Sequence, residues 1–327
     1  MKLTGAQADR AAGVLLATAA GDALGAGYEF THPAKDVEIT MIGGGLGGFE
    51  PGEWTDDTSM ALAVARVTAT GADLRTTEGL DAVAAGFAEW YASGPKDIGN
   101  QTGAVLSARD ASAAAMQATA RKVHGRKAGN GSLMRTAVVG IAYLDDAAAC
   151  REAALQVSAL THDDLRAGQA CQLWSHAIRH AALHCTFDGL RAFLGVTALD
   201  IPRDDADLDL VAFWGPLLDQ AETGSPQDFP NNGWVVHALQ TAWWAITHAD
   251  RGDAGHLQRA LEVAVRAGGD TDTTAAIAGG LLGARWGASA VPARWRRLLH
   301  GWPGLRAKDL IFLAALSAAG GCDDPDG

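Results

Sequence analysis

Along most of the chain, apolar residues return every three or four positions, the spacing of a helix that buries one face. The stretch 165–184 shows it well: Leu165, Gly168, Ala170, Leu173, Ala177 and Ala181 share one side of a helical wheel. Bracketed by Gly, Pro, Asn and Asp, the pattern predicts helices over roughly 7–20, 58–70, 78–93, 103–119, 132–143, 146–159, 165–184, 208–222, 233–248, 254–267, 273–286 and 305–318. "VEITMI", 37–42, is the single strand-like run. No fixed-period repeat and no linker interrupts the series. The expectation is one all-α domain over 1–320 with a disordered tail over 321–327. In such a fold the chemistry falls to the loops at helix ends.

Composition supports this and narrows the partners. Alanine is abundant and the chain has only 3 Tyr, a helical composition. With 48% hydrophobic and 20% charged residues, a chain of 327 can fill a sizeable core. The formal net charge of -12 disfavours general binding to nucleic acid or anionic membranes. Cys150, Cys171, Cys185 and Cys322 show no C-x-x-C spacing and read as reduced thiols, so a cytoplasmic protein is expected. "AAGVLLATAA" after Arg10 reads as a first buried helix rather than a signal peptide, because Asp9 precedes it and "GDALG" follows at once. No run is long enough to span a bilayer. A monomer is the working expectation.

Two acidic knots stand out. "WTDDTSM", 54–60, sets Asp56 and Asp57 between Thr55 and Thr58, ahead of an apolar helix. "GGDTDTT", 268–274, sets Asp270 and Asp272 among Thr271, Thr273 and Thr274, ahead of another, on which Gly279, Gly280 and Gly283 make a small-residue face for close packing. Either knot alone reads as a helix N-cap. A cap needs one side chain, however, and each knot offers two carboxylates plus hydroxyls. Paired, partly buried aspartates repel and take up protons or cations. Hard oxygen donors suit Mg2+ or Mn2+. If the knots converge, four carboxylates can balance two divalent ions ~4 Å apart. An EF-hand is excluded, since its glycine position would be Ala275 and its glutamate position Leu281. "GGGLGG", 43–48, matches G-x-G-x-x-G, but Pro51 stops any following helix, so it reads as a glycine loop leading into the first knot. "GDALGAGYEF", 21–30, adds Asp22 after a helix and Glu29 on a loop, and "GNGSLMR", 129–135, places glycines at a helix start suited to phosphate.

In this order, "GDALGAGYEF", "PGEWTDDTSMALAVA", "DIGNQTGAVLSA", "GNGSLMR", "LTHDD", "GWVVHALQTAWWAI" and "GGDTDTTAAIAGGLLGARWG" together resemble the ADP-ribosylglycohydrolase family, which includes dinitrogenase-reductase-activating glycohydrolases and mammalian ADP-ribosyl-acceptor hydrolases. The resemblance runs from about residue 10 to about 300. It implies an orthogonal multi-helix domain with two divalent cations, Mg2+ or Mn2+, at the base of a cleft. Thr55, Asp56 and Asp57 match one set of metal ligands, and Asp270, Asp272 and Thr273 the other. Glu29 matches the glutamate of a mobile loop over the site. Gly129, Asn130, Gly131 and Ser132 fall beside the ADP part of the ligand, and His162 lines the same cleft. Asp22, Asp97 and Asn100 are further candidate substrate contacts. Trp234, after "NNG" at a predicted helix start, is a candidate cleft residue; Trp174, Trp214, Trp243, Trp244 and Trp286 lie at core spacings. Asp97 could pair a guanidinium bidentately or cap the next helix; the sequence leaves both open. This chain departs from some relatives in having His124 as the sole ring just before "GNG", and a histidine, His237, where an acidic residue is often found. His176, His180 and His184 recur every four residues and read as a helix edge rather than a zinc site.

The implied activity is hydrolysis of the glycosidic bond between ADP-ribose and an acceptor, with ADP-ribose as product. Arginine of a modified protein is the favoured acceptor; serine, nucleobase and small-molecule conjugates are alternatives, and ADP-ribosylated nucleic acid stays among them. Cleavage at ribose C1 passes through oxocarbenium-like charge. A two-metal cage would hold the ribose hydroxyls and lower the pKa of the attacking water. Asp56, Asp57 and Glu29 are the candidate catalytic acids and bases. Two rivals are weaker. A prenyl-diphosphate enzyme lacks its third acid in "DDTSM" and would want more than 6% aromatics. A non-catalytic ADP-ribose-binding relative would have no need of all four knot aspartates.

Overall fold

The computed structural model describes residues 2–125, 128–199 and 205–321. Among them are fifteen α-helices: α1 Gly5–Gly25, α2 Asp56–Thr68, α3 Thr77–Ala92, α4 Asn100–Leu106, α5 Ala113–Lys122, α6 Ala137–Ala142, α7 Ala147–Ala159, α8 Leu165–His184, α9 Gly189–Leu199, α10 Asp205–Thr223, α11 Val235–His248, α12 His256–Arg266, α13 Thr271–Trp286, α14 Ala293–Leu298 and α15 Ala307–Ala319. A two-stranded ribbon, β1 His300–Gly301 and β2 Leu305–Arg306, pairs antiparallel. No described helix is long and apolar enough to cross a membrane.

Alanine and glycine decide how the helices meet. α1 is buried without a break from Ala11 to Gly25, and α13 from Thr271 to Ala284. The two lie antiparallel at the centre, Gly13 against Gly283 and Gly25 against Thr271. They touch backbone to backbone: a Cβ at Gly279 would fall 2.1 Å from the Ala17 carbonyl oxygen, and one at Gly21 equally close to that of Ala275. This small-residue face is the one the sequence suggested for Gly279 and Gly283. Gly279→Val should therefore cost on the order of 3 kcal/mol through overpacking, seen as a lower thermal midpoint; an unchanged midpoint would mean that the helices part freely. Around this pair α8 packs with α6, α7 and α9, α11 and α12 lie against α13, and α15 lies against α1.

The pairing serves the site. It brings the C-terminal end of α1 beside the N-terminal end of α13. The Thr271 Oγ1 donates to the Gly25 carbonyl at 2.9 Å, and the Phe30 N–H to the Gly269 carbonyl at 2.7 Å. Residues 22–30 and 268–273 are thus locked together.

Several expectations change. α1 continues five residues beyond 20, so Asp22 lies in its last turns and not on a loop. The predicted helix 103–119 is two helices, α4 and α5: Asp110 Oδ1 accepts from the Ser112 N–H, and Ser112 starts α5 as its N-cap. Over 132–143, a short 3-10 turn at Asn130–Ser132 precedes α6. "VEITMI" forms no strand. Its alternation arises because Ile39 and Met41 are buried while Glu38 and Thr40 bond the Tyr28 phenol from either side. The helices α9 and α14 were not anticipated. Apart from Gly321, the predicted tail lies outside the described residues, as does Cys322; Cys150, Cys171 and Cys185 are free thiols.

Candidate active site

The two acidic knots converge. Asp56 is the first residue of α2, Asp270 immediately precedes α13 and Asp272 lies in its first turn. All three line one cavity of about 690 Å³, together with Glu29 and Thr273. Carboxylate oxygens of Glu29, Asp270 and Asp272 lie within 4.8 Å of one another, a grouping that can hold a metal ion. Asp57 sits just behind, fully buried. Its Oδ2 accepts from Thr55 Oγ1 at 3.0 Å, and its Oδ1 has no hydrogen-bond partner at all.

Neither knot is spent on capping. Thr55 and Asp270 are the N-cap residues of α2 and α13, and neither side chain bonds its own helix end. For α2 that work is done from α1. Asp22 Oδ1 accepts the Thr55 N–H at 2.9 Å, and its Oδ2 accepts the Thr58 N–H at 3.0 Å and the Thr58 hydroxyl at 2.6 Å. Asp22 thus anchors the first knot from behind and does not line the cavity. This frees Asp56 and Asp57 from the helix end they begin.

So many carboxylates in one buried place hold their protons. Burial, then neighbouring carboxylates, pushes Asp56, Asp57 and Asp272 well above the usual range. Burial and Asp270 push Glu29 up to about 7. Asp22 rises to about 6 by burial, partly offset by its threonine partners.

The far wall of the cavity is the segment Gly129–Gly131, tied to 231–235 by antiparallel backbone bonds: Asn130 N–H to the Gly233 carbonyl (3.2 Å) and Val235 N–H to the Ala128 carbonyl (2.9 Å). The two glycines keep this wall bare; a Cβ at Gly131 would come within 3.1 Å of His162 Cε1. Asn130 Nδ2 donates to Asp270 Oδ2 at 2.7 Å, linking this wall to the second knot. His162 lines the cavity, its Nδ1 paired with Thr161 Oγ1, and burial pulls it down to about 3, so the ring is neutral at ordinary pH. Ser132 is buried with its hydroxyl turned to Ser158 and Cys171, so its side chain stays off the cavity wall. Trp234 and Asn100 line the cavity. Asp97 lines it too and does not cap α4, whose N-cap is Gly99; its side chain accepts only the adjacent Ile98 N–H.

A family model described as ADP-ribosylglycohydrolase matches residues 3–323. The chain belongs to this family. An "ADP-ribosylarginine hydrolase Tri1" from Pseudomonas putida (strain GB-1) is 30% identical over 297 residues, 88% of this chain and 73% of the relative. An "ADP-ribosyl-[dinitrogen reductase] glycohydrolase" from Rhodospirillum rubrum is 28% identical over 88% of this chain and 89% of its own length. Among solved structures, an "ADP-ribosylglycohydrolase-related protein complex" superposes with a TM-score of 0.72 at 27% identity, covering 98% of this chain and 100% of that one.

The site also rests on residues that the motifs did not single out. Asn232 is the chief one. It is buried, its Oδ1 accepts the Asp270 N–H at 3.0 Å, and its Nδ2 donates to the Gly268 carbonyl at 2.8 Å, fixing the second knot. Its one signal was the "NNGW" run. Phe30 and Leu46, both exposed, stand at the cavity wall, and the nearby Leu46 backbone offsets part of the rise at Glu29. The glycine loop 43–48 makes this approach possible: Gly45, at φ +66°, lies against the Ala26 carbonyl and Glu29.

Proposed function

We propose that the protein hydrolyses the glycosidic bond joining ADP-ribose to an acceptor, with divalent cations held by the two knots, and that arginine on a modified protein is its acceptor. The observation carrying this reading is the convergence of Asp56, Asp270, Asp272 and Glu29 at one large cavity, with Asp57 buried just behind it and its Oδ1 unpartnered among the described residues. A buried carboxylate oxygen without a donor is costly unless a cation or proton meets it. The donor set is all oxygen, which suits Mg2+ or Mn2+, with Thr55, Asp56 and Asp57 on one side and Asp270, Asp272, Thr273 on the other. Bound there, the cations would supply Lewis acidity toward ribose oxygens and water. The protein's own groups do the rest. Asp22 and Asn232 hold the knots in register. Asp56 and Glu29, both at the cavity wall, take a proton from the attacking water or give one to the leaving group. The bare glycine wall lets a diphosphate approach the backbone, and neutral His162 adds no charge there. Trp234 offers a ring face for adenine. Its indole is steadied at 4.8 Å by His237, which itself accepts the Asn231 N–H.

Support for arginine comes from Asp97, which lines the cavity free of any capping duty, and from the arginine-hydrolase name of the Pseudomonas relative. We take the chain to act as a monomer in the cytoplasm. The test is a panel of ADP-ribose conjugates linked through arginine, serine, a nucleobase and O-acetyl, assayed with Mg2+ or Mn2+ and with chelator. Expected is cation-dependent release of ADP-ribose, fastest from arginine. Full activity in chelator, or ADP-ribose binding with no turnover of any conjugate, would defeat the reading.

A further inference from the structure

Beside the main cavity lies a second one of about 210 Å³. Asp56 and Asp97 line both, so two carboxylates form the boundary between them. The smaller cavity holds one long side chain and is too small for a nucleotide. Its other walls mix the rings of Phe49, Trp54, Trp90 and Trp302 with polar and small residues, Glu53 and Lys96 among them. Trp54 and Trp90, each only 2% exposed, form its buried floor. The Trp54 indole donates to the Trp302 carbonyl at 3.2 Å and occupies space that any Cβ at Gly301 would fill, 2.4 Å from its Nε1.

Aromatic faces edged by carboxylates bind cations, and planar guanidinium better than ammonium. A cation already occupies such a place. Lys96 places its Nζ 2.7 Å from Glu53 Oε2 and 5.3 Å from the centre of the Phe49 ring. Lys96 is largely exposed, so its bond to Glu53 is worth at most about 1 kcal/mol and can be displaced.

We propose that this side cavity receives the acceptor side chain and selects a guanidinium, with Lys96 as the resident cation that an arginine acceptor displaces. The inference rests on the function proposed above: with the ADP-ribose part in the large cavity, an acceptor leaving past Asp56 and Asp97 enters the small one. Glu53 and Asp97 would take the guanidinium N–H groups, and Phe49, the ring that Lys96 now covers, its planar face.

The cation-loaded full chain tests this through one ratio, KM for ADP-ribosyl-arginine over Kd for ADP-ribose by calorimetry. Glu53→Gln removes a charge partner and should raise the ratio about tenfold. Lys96→Met removes the competing cation and should lower it about threefold. Opposite shifts are the signature, because damage to folding would move both variants the same way. Ratios within twofold of the parent in both variants, or a shift in one direction only, would overturn the proposal. So would hydrolysis of other conjugates without arginine, an outcome that leaves ADP-ribose hydrolysis standing. Absence of turnover with every conjugate would remove both readings together.

Discussion

Asp57→Asn is expected to lower turnover by on the order of 10³-fold and, in the same molecule, to raise the melting temperature of the chelated protein. The two effects have one cause. Asp57 is fully buried, one oxygen takes the Thr55 hydroxyl, and the other faces no donor. Burial first, and then Asp22, Asp56 and Asp270, push its carboxyl well above the ordinary range. An asparagine of nearly the same shape keeps an acceptor for Thr55 and removes the charge. Without cations, that is relief from repulsion and desolvation. With cations, on the proposed function, it is the loss of a ligand. Active sites commonly trade stability for function in this way. The measurements are steady-state release of ADP-ribose from an arginine conjugate under saturating Mn2+, and a thermal melt in chelator. Turnover within tenfold of the parent would mean that the orphaned oxygen has no part in the chemistry. Asp56→Asn and Asp270→Asn should share the catalytic loss.

Much of this was legible in the chain because the knots have a local signature. Doubled carboxylates among hydroxyls, each starting an apolar helix, cannot all be caps, and the count alone pointed to a shared site. Gly279 and Gly283 also read correctly, since a glycine face in a helix has little use except close approach. What the sequence hid is non-local. Asp22 had looked like a loop residue near the substrate; it is a cap supplied from another helix, and nothing in "GDALG" records that its partners lie at 55 and 58. Asn232 is invisible for the same reason, since its value depends on Asp270 lying beside it. The mistaken strand at 37–42 shows the opposite failure. Its alternating pattern was real, but burial of Ile39 and Met41, with Glu38 and Thr40 bonded to the Tyr28 phenol, produced it without a partner strand. The side cavity was out of reach altogether, because Trp54, Trp90 and Trp302 come from three distant stretches.

In chelator, the protein should melt at a lower temperature at pH 8 than at pH 6.5, and added Mg2+ or Mn2+ should raise the midpoint more at pH 8. Glu29, held up at about 7, and Asp56, Asp57 and Asp272, held well above the ordinary range, have folded pKa values above those of the unfolded chain, near 4. Groups shifted this way contribute stability that is complete below pH 4 and is lost as pH rises through the folded value. The histidines act in the opposite sense. Burial holds His162 down to about 3 and His176 to about 4, so their contribution is complete about one unit above pH 6.5 and is lost as pH falls through that value. Between pH 6.5 and 8 the histidines therefore add a little stability as they finish titrating in the unfolded chain, and the carboxylates, which change far more over this range, set the sign of the slope. Staying at or below pH 8 also avoids the thiols, since burial lifts Cys150 to about 12 and its unfolded counterpart ionises near 8.5. Cations compete with the same protons, so their binding strengthens as the carboxylates ionise, and their stabilisation should grow with pH. Asp57→Asn should flatten both trends. A midpoint independent of pH over this range, or a cation effect equal at both ends of it, would mean that the buried carboxylates do not form a linked, ion-binding cluster.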